Sequence, residues 1–183
     1  MTTVAICRYG AGNVRSVELA LQRLGATLTD DVAGADLAVL PGVGSARTAM
    51  DGLRERGLDQ VLRARTKPTL GICLGLQLAL EETEEDGGVE GLGIVPGRAV
   101  RIREGRVPRI GWAHVAARPQ DQIVDDTAYW FAHSYAAESP AVTATSEGLA
   151  AIVEHGSFTG VQFHPEKSGA AGARFLERCL SRA

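Results

Sequence analysis

The residue whose surroundings most favour covalent chemistry is Cys73, in the run Thr69-Leu-Gly-Ile-Cys-Leu-Gly-Leu-Gln77. A short apolar strand leads into this cysteine, and an apolar helical stretch follows it. Glycines stand two residues before and two residues after it, as a sharp strand-to-helix turn requires, because its backbone is strained and neighbouring chain passes close. The positive end of the helix dipole favours thiolate, the reactive form of cysteine. The pattern predicts a nucleophile elbow at Cys73.

A thiolate nucleophile needs a base, and the base needs a group that orients it. The run Gly160-Val-Gln-Phe-His-Pro-Glu166 supplies both, since a strand-like segment ends at His164 and a carboxylate follows two residues later. Pro165 fixes the backbone between them, so that imidazole and carboxylate can meet through a hydrogen bond that sets the histidine tautomer. A buried cysteine or a lone histidine is usually structural, but the combination favours catalysis. The predicted triad is Cys73, His164 and Glu166.

The elements that must position these residues follow from the hydrophobic pattern. Short apolar runs alternate with amphipathic stretches, which predicts parallel strands covered by helices. Asn13 is a predicted helix cap, Val17 and Leu21 lie at helical spacing behind it, and Gly25 ends that helix. Strands are predicted at 3–7, 37–40 and 69–72, helices at 45–56 and 58–65, three further strands at 141–146, 150–155 and 158–163, and a closing helix at about 171–180.

The middle of the chain, 95–131, carries more Arg, Gly and Pro, which predicts shorter and partly antiparallel strands. Four of its arginines, Arg101, Arg103, Arg106 and Arg109, fit either an acidic partner or a solvated face. We see no internal repeat, low-complexity run or linker, and 183 residues fit one domain, 1–183, with a substantial core.

Composition restricts the function without identifying it. The net charge of −3 gives no general affinity for nucleic acid or acidic membranes. No signal peptide or spanning segment is recognisable, so we expect a cytoplasmic protein. Three cysteines without metal-ligand spacing suit a reducing compartment, and neither a metal nor a cofactor is predicted. Cys7 and Cys179 are predicted to be packing residues.

The two catalytic segments resemble the signature segments of the class I (triad) glutamine amidotransferases, and the likeness covers essentially the whole chain. Within that class, further segments are similar to those of the glutaminase subunits of imidazole glycerol phosphate synthases, which act in histidine biosynthesis. These segments are Tyr9-Gly-Ala-Gly-Asn-Val-Arg-Ser-Val17, Leu40-Pro-Gly-Val-Gly-Ser45, Gly111-Trp112, His133-Ser-Tyr135 and His164-Pro-Glu-Lys-Ser168. The resemblance implies an α/β three-layer sandwich with a largely parallel central sheet, of the flavodoxin/Rossmann-like kind found in class I glutamine amidotransferases.

The triad predicts attack of the Cys73 thiolate on the carboxamide of L-glutamine, with His164 protonating the departing nitrogen to give ammonia and later activating water against the thioester. The N–H of Leu74 is one expected oxyanion donor. The second should come from the glycine-rich turn after the strand at 37–40, and the resemblance implies Val43. The same turn could equally be a tight loop whose glycines only permit positive φ.

The resemblance also implies the substrate contacts. It assigns Gln77 to holding glutamine and Glu85 to meeting its α-amino group. Glu85 belongs to an acidic run, 81–86, which by itself is typical of a solvated helix end. Further contacts are expected from Gly44, Ser134 and Tyr135.

Ammonia is a nucleophile only while unprotonated, so the product must be channelled to a second active site. The resemblance implies a heterodimer with a separate cyclase subunit of (β/α)8-barrel fold. The residues expected to face it are Asn13, Arg15, Trp112, Tyr135 and Lys167. A core Trp112 with solvent-facing Arg15 and Lys167 is the structural alternative. Two positions depart from the family pattern, since Arg8 stands where aspartate is common and Ala113 where asparagine is common.

Three other functions remain open at this level. The chain could be a glutaminase serving anthranilate or guanylate synthesis, a regulatory subunit without chemistry, or a stand-alone cysteine hydrolase. The complete triad disfavours the second function, and the His-Pro-Glu run with the glycine-rich turn disfavours the third. We also expect the turn over 41–45 to rest in an inactive conformation, so that glutamine is not wasted in the absence of the synthase substrate.

Overall fold

A computed structural model describes residues 1–10, 14–117 and 123–183. The strands are β1 (Thr3–Ile6), β2 (Thr27–Thr29), β3 (Leu37–Leu40), β4 (Thr69–Ile72), β5 (Glu82–Thr83), β6 (Val89–Glu90), β7 (Arg98–Arg101), β8 (Arg109–Val115), β9 (Thr127–His133), β10 (Tyr135–Glu138), β11 (Val142–Ser146), β12 (Leu149–His155) and β13 (Phe158–Val161). The helices are α1 (Val14–Arg23), α2 (Ala46–Glu55), α3 (Leu58–Ala64), α4 (Leu74–Ala79) and α5 (Gly169–Ser181).

The central sheet has seven strands in the order β11-β12-β13-β4-β3-β1-β2. Neighbouring strands from β13 to β2 pair in parallel, whereas β12 and β11 pair antiparallel at one edge. The parallel part has the doubly wound 2-1-3-4-5 order, in which ligand sites form at the carboxyl ends of the strands. The predicted fold class, with its largely parallel sheet, is confirmed.

Helices cover both faces of this sheet because side chains alternate along each buried strand. Val4 of β1 packs in a core with Leu21 of α1 and Phe175 of α5. The next residue, Ala5, points to the opposite face, into a core that includes Met50 of α2. Two cores on opposite faces of one sheet make the three layers that the sequence predicted.

The predicted elements lie within a few residues of those observed, with four short strands omitted and one position outside the described chain. Strand β2 was not predicted; it is a three-residue edge strand that pairs with β1. Strands β5, β6 and β10 were not predicted either; they form a four-stranded sheet with β7. Asn13, the predicted cap of α1, lies outside the described residues. The middle region forms antiparallel pairs, β8 with β9 and β7 with β10, as expected.

Cys7 and Cys179 are buried, one in each core, which agrees with a packing role. Burial raises the pKa of both thiols to about 12, so neither is a ready thiolate. The longest helix, α5, has thirteen residues, and no helix in the described parts of the chain is long and apolar enough to cross a membrane.

Candidate active site

Cys73 lies between β4 and α4 in a strained backbone conformation, with φ 52° and ψ −105°. Both flanking glycines are required by close approach. A Cβ on Gly75 would lie 1.8 Å from the carbonyl oxygen of Leu40, and one on Gly71 would lie 2.5 Å from the ring of Phe158. The elbow predicted from the spacing is therefore present, and any side chain at these two positions would push it apart.

His164 and Glu166 form a buried pair beside this elbow. Nδ1 of His164 lies 2.9 Å from Oε1 of Glu166, and the two side chains are only 2% and 1% exposed. The backbone around the histidine is also fixed, because its N–H donates to Trp130 and its carbonyl accepts from the Ser168 hydroxyl. Oε2 of Glu166 has no hydrogen-bond partner among the described residues.

The pKa of His164 reflects the balance of burial and partners. Burial lowers the pKa, but hydrogen bonds and opposite charges from Cys73 and Glu166 outweigh it and raise the value to about 9. The folded site thus favours an imidazolium that can face a thiolate. Structure brings together the three residues that the sequence placed in a triad.

A cavity of about 220 Å³ opens at Cys73. It is smaller than the roughly 300–1,000 Å³ typical of sites for drug-sized ligands, which suits a small substrate. Every residue predicted for the oxyanion hole or for substrate binding lines it, and its walls are Val43, Gly44, Cys73, Leu74, Gln77, Glu85, Pro108, Ile110, Ala132, His133, Ser134 and Tyr135. A larger cavity of about 650 Å³ lies next to it and holds neither the cysteine nor the histidine of the triad. Five arginines of the middle region line it, Arg98, Arg101, Arg103, Arg106 and Arg109.

The glycine-rich turn at 41–45 is held at both ends and open between them. The Tyr9 hydroxyl donates to the carbonyl of Pro41, and Ser45 caps α2 through the Thr48 N–H. Val43 is 41% exposed, and Gly44 has φ +108° with open space around it. Conformational freedom in this turn is therefore concentrated in the two residues beside the cavity.

Glu85 faces the same turn from across the cavity. Its Oε2 accepts from the N–H of Ala46 at 3.2 Å. Burial raises the pKa of this carboxyl, the neighbouring Asp86 raises it further, and the Ala46 hydrogen bond lowers it. The acidic run is not the helix end that its composition suggested, because α4 ends at Ala79 and the run continues through β5 into a 3-10 turn. A half-buried carboxylate at this position would be stabilised by a cationic ligand group.

Sequence reasoning gave no role to two buried polar residues at the site, Gln162 and His133. Nε2 of Gln162 lies 3.5 Å from Sγ of Cys73, and His133 lines the cavity. The sequence carries one signal for Gln162. It stands two residues before His164 in a strand-like run, so its side chain leaves the backbone on the same side as the histidine.

Comparison with known families identifies this arrangement. The family model "Glutamine amidotransferase class-I" matches residues 6–183. The chain belongs to the class I glutamine amidotransferase family. The predicted family is thus confirmed over nearly the whole length of this amidotransferase.

Curated relatives of the amidotransferase are named as imidazole glycerol phosphate synthases or their HisH subunits. "Imidazole glycerol phosphate synthase subunit HisH" of Symbiobacterium thermophilum is 44% identical, over 96% of this chain and 92% of that protein. The Methylococcus capsulatus protein of the same name is 42% identical, over 98% and 96%. "Imidazole glycerol phosphate synthase hisHF, chloroplastic" of Arabidopsis thaliana is 38% identical over 98% of this chain, which spans 34% of that longer protein.

Solved structures agree on the fold of the amidotransferase. A crystal structure described as a glutamine amidotransferase superposes with a TM-score of 0.78 at 21% identity, covering 97% of each chain. The structure of PurLQS from Thermotoga maritima gives a TM-score of 0.68 at 16% identity, covering 99% of this chain and 98% of that one. At these identities the likeness concerns the fold alone.

The surface around the amidotransferase cavity carries exposed apolar side chains. Ile110 is 61% exposed and Trp112 is 56% exposed, so the alternative of a core Trp112 is wrong. Trp112 packs edge-on against Trp130, with ring centroids 5.9 Å apart. Arg15 and Lys167 are exposed.

Of the two departures from the family pattern, Arg8 forms an ion pair with Glu18, and Ala113 lies in β8 opposite Tyr129.

Proposed function

We propose that this chain hydrolyses L-glutamine to glutamate and ammonia as the glutaminase subunit of an imidazole glycerol phosphate synthase, in histidine biosynthesis. The observation that carries the chemistry is the strained Cys73 at the mouth of a small cavity, beside a buried His164–Glu166 pair. HisH relatives at about 40% identity favour this function over glutaminases of anthranilate or guanylate synthesis.

Each triad residue has a distinct role. The Cys73 thiolate attacks the carboxamide carbon and forms a tetrahedral intermediate, which collapses to a γ-glutamyl thioester as the C–N bond breaks. His164 gives its proton to the amide nitrogen of the intermediate, which leaves as ammonia, and then removes a proton from the water that hydrolyses the thioester. Glu166 accepts from Nδ1 of His164 at 2.9 Å and thereby turns Nε2 towards the reacting groups.

The oxyanion of each tetrahedral intermediate is stabilised by two backbone N–H groups. Leu74 follows the nucleophile and begins α4, so its N–H has no partner within the helix. Val43 supplies the second N–H from the turn whose freedom lies at Val43 and Gly44. Loss of one such donor typically costs about 10²–10³ in kcat. A change in the Val43 peptide therefore suffices to switch hydrolysis on or off.

Substrate recognition uses the remaining cavity walls. Glu85 meets the α-amino group of glutamine, whose positive charge offsets the burial of its carboxylate. Gln77, Gly44, Ser134 and Tyr135 surround the rest of the amino acid. All of these residues except Gln77, which lies within α4, belong to loops or to the ends of elements, as is usual for ligand sites at the carboxyl edge of a parallel sheet.

Ammonia made here is used by the cyclase, a second subunit of (β/α)8-barrel fold in a cytoplasmic heterodimer. The Arabidopsis relative supports a partner, because it is named as the synthase hisHF and this chain spans only 34% of its length. The exposed Ile110 lines the cavity and the exposed Trp112 follows it two residues later on β8, so both provide apolar anchors. Arg15, Tyr135 and Lys167 complete the docking face, and Asn13, which the resemblance also implies, lies outside the described residues. Sealing the cavity mouth keeps the ammonia from bulk water.

The test is release of glutamate from glutamine by the purified chain alone, then with the cyclase subunit, then with the cyclase and its nucleotide ligand. The Cys73→Ala variant is the blank. Low activity alone and a large rise with both additions would establish the proposed function. High activity alone, or no response to this partner, would leave glutamine hydrolysis in place and assign the chain to another synthase.

A further inference from the structure

Gln162 is a wholly buried amide to which the triad gives no task. It follows β13 and is 0% exposed, and its backbone N–H donates to the carbonyl of Ala151. Its side chain contacts two polar groups. Oε1 lies 3.1 Å from Nε2 of Gln77, and Nε2 lies 3.5 Å from Sγ of Cys73.

The orientation of this amide is fixed by a chain of hydrogen bonds that starts at a backbone carbonyl. The carbonyl of Tyr135 can only accept, so the group of Gln77 that lies 3.0 Å from it must be the NH2. The same NH2 faces Gln162, which must therefore present its oxygen. The remaining end of the Gln162 amide, its own NH2, is left facing Cys73. The carbonyl of Tyr135 therefore fixes which end of each of the two side-chain amides is the NH2 and which is the oxygen.

The Tyr135 carbonyl is itself held by His133. Nε2 of His133 lies 3.3 Å from an NH group of Arg109, and since a guanidinium only donates, this nitrogen must accept. Nδ1 then carries the hydrogen and donates to Tyr135 at 2.8 Å. Burial lowers the pKa of His133 to about 4, the Arg109 charge adding to that effect, and so keeps the ring neutral. His133 and Gln77 thus act as positioning residues for Gln162.

We propose that Gln162 is a further catalytic residue of the glutamine hydrolysis, donating a side-chain N–H to Sγ of Cys73. The proposal rests on the proposed function for the reaction that it assists. A hydrogen bond to the sulfur favours the charged form, and bonds to charged acceptors are stronger than neutral ones. It opposes the carbonyl of Ala132, which lies 3.8 Å from the same sulfur and favours the protonated thiol.

The competing explanation is that Gln162 merely satisfies buried polar groups in the core. Gln162→Met separates the two, because methionine keeps the length of the side chain but offers no N–H. The measurement is the pH dependence of Cys73 alkylation by iodoacetamide in the purified chain, with Cys73→Ala as the blank. His164 and Tyr9, two titratable groups whose charges interact with Cys73, are unchanged in the variant.

For Gln162→Met we expect the midpoint of alkylation to move up by about one pH unit and the rate at pH 7 to fall about ten-fold. With the cyclase bound, kcat should fall while KM for glutamine changes little, since the amide contacts the nucleophile. Thr69→Val is the matched control. It removes a buried hydroxyl from the far end of β4, the strand that leads to Cys73, and should leave the midpoint unchanged.

Gln162→Glu keeps an acceptor for Gln77 and nearly the same shape, which provides a second variant if methionine disturbs folding. It replaces the donor with an oxygen and should raise the alkylation midpoint at least as far. An unchanged midpoint in either folded variant overturns the proposal, even if the wild-type chain is a partner-gated glutaminase. Conversely, a shifted midpoint in a chain with no glutaminase activity would support the sulfur contact and refute the proposed function.

Discussion

Oε1 of Glu166 lies 2.9 Å from Nδ1 of His164, with both side chains almost completely buried. Only a proline separates the two residues, and it starts a 3-10 turn that brings the carboxylate back to the ring. A buried imidazole that can bond a carboxylate on one side and a thiolate on the other gains a proton readily. The state of this histidine is therefore a direct test of the triad.

Stability should depend on pH through His164. Its pKa rises from 6.5 unfolded to about 9 folded, so the protonated form adds stability that is full below about pH 6.5 and lost as pH rises through about 9. We expect the free energy of unfolding to fall by roughly 1–3 kcal/mol over this window. Urea denaturation at several pH values measures it. His164→Gln should flatten the profile, whereas His155→Gln, which removes an exposed histidine, should not; equal slopes in all three proteins would contradict the assignment.

The strained backbone at Cys73 predicts that removing its side chain stabilises the fold. Only glycine adopts φ 52° with ψ −105° without strain. Cys73→Gly should be more stable than Cys73→Ala by about 1 kcal/mol, while both lack activity. Ala20→Gly in α1 is the control, and should cost about 0.5–1 kcal/mol instead. Thermal or urea unfolding of the wild type, the two Cys73 variants and Ala20→Gly measures these differences. A glycine variant that is no more stable than the alanine variant would show that the backbone at Cys73 is not strained.

Glu85→Gln should weaken binding of glutamine more than it slows the chemistry. The amide oxygen can still accept from Ala46, but the charge that we propose for the α-amino group is gone. Loss of such a charged contact corresponds to a rise in KM of about ten-fold or more. Steady-state kinetics with the cyclase bound gives KM and kcat separately. Glu82→Gln, an exposed neighbour on β5, provides the control, and an unchanged KM in Glu85→Gln would place the amino group elsewhere.

Gly44→Ala tests whether the turn over 41–45 rests in an inactive state. At φ +108° alanine is strained, although nothing crowds its Cβ, so the observed conformation loses population. If that conformation misplaces the Val43 N–H, glutaminase activity of the isolated chain should rise several-fold. Gly148→Ala, also at positive φ in open space, is the matched control. Unchanged or lower basal activity in well-folded Gly44 variants would count against an inactive resting turn.

Trp112 should anchor the cyclase partner. Truncation to alanine removes a large exposed ring beside the cavity and should weaken binding by about 2 kcal/mol, or roughly thirty-fold. Titration calorimetry with the cyclase measures the change. Lys67→Ala, at an exposed position two residues before the amino end of β4, should leave affinity intact. Equal affinity for the two variants would move the docking face away from Trp112.

Local sequence predicted those features that depend on short-range backbone chemistry. The glycine spacing around Cys73 and the proline between His164 and Glu166 each fix a local conformation, so both were readable before any contact was known. Apolar periodicity likewise gave the parallel strands and covering helices. Strand β2 was not predicted because its three partly exposed residues are too few to show an alternating apolar pattern. Their extended conformation depends on pairing with β1.

Only the tertiary structure decided which distant groups meet. Gln162 and Cys73 are 89 positions apart, and their contact exists because β13 pairs with β4 in a register that sets the two side chains together. The orientation of that amide depends further on Gln77 and on a carbonyl in β10. The sequence alone predicted the fold class, the elbow and the three residues of the proposed triad. Hydrogen bonds between segments far apart in the chain depend on strand register, so the groups that surround Sγ of Cys73 could be known only from the folded sheet.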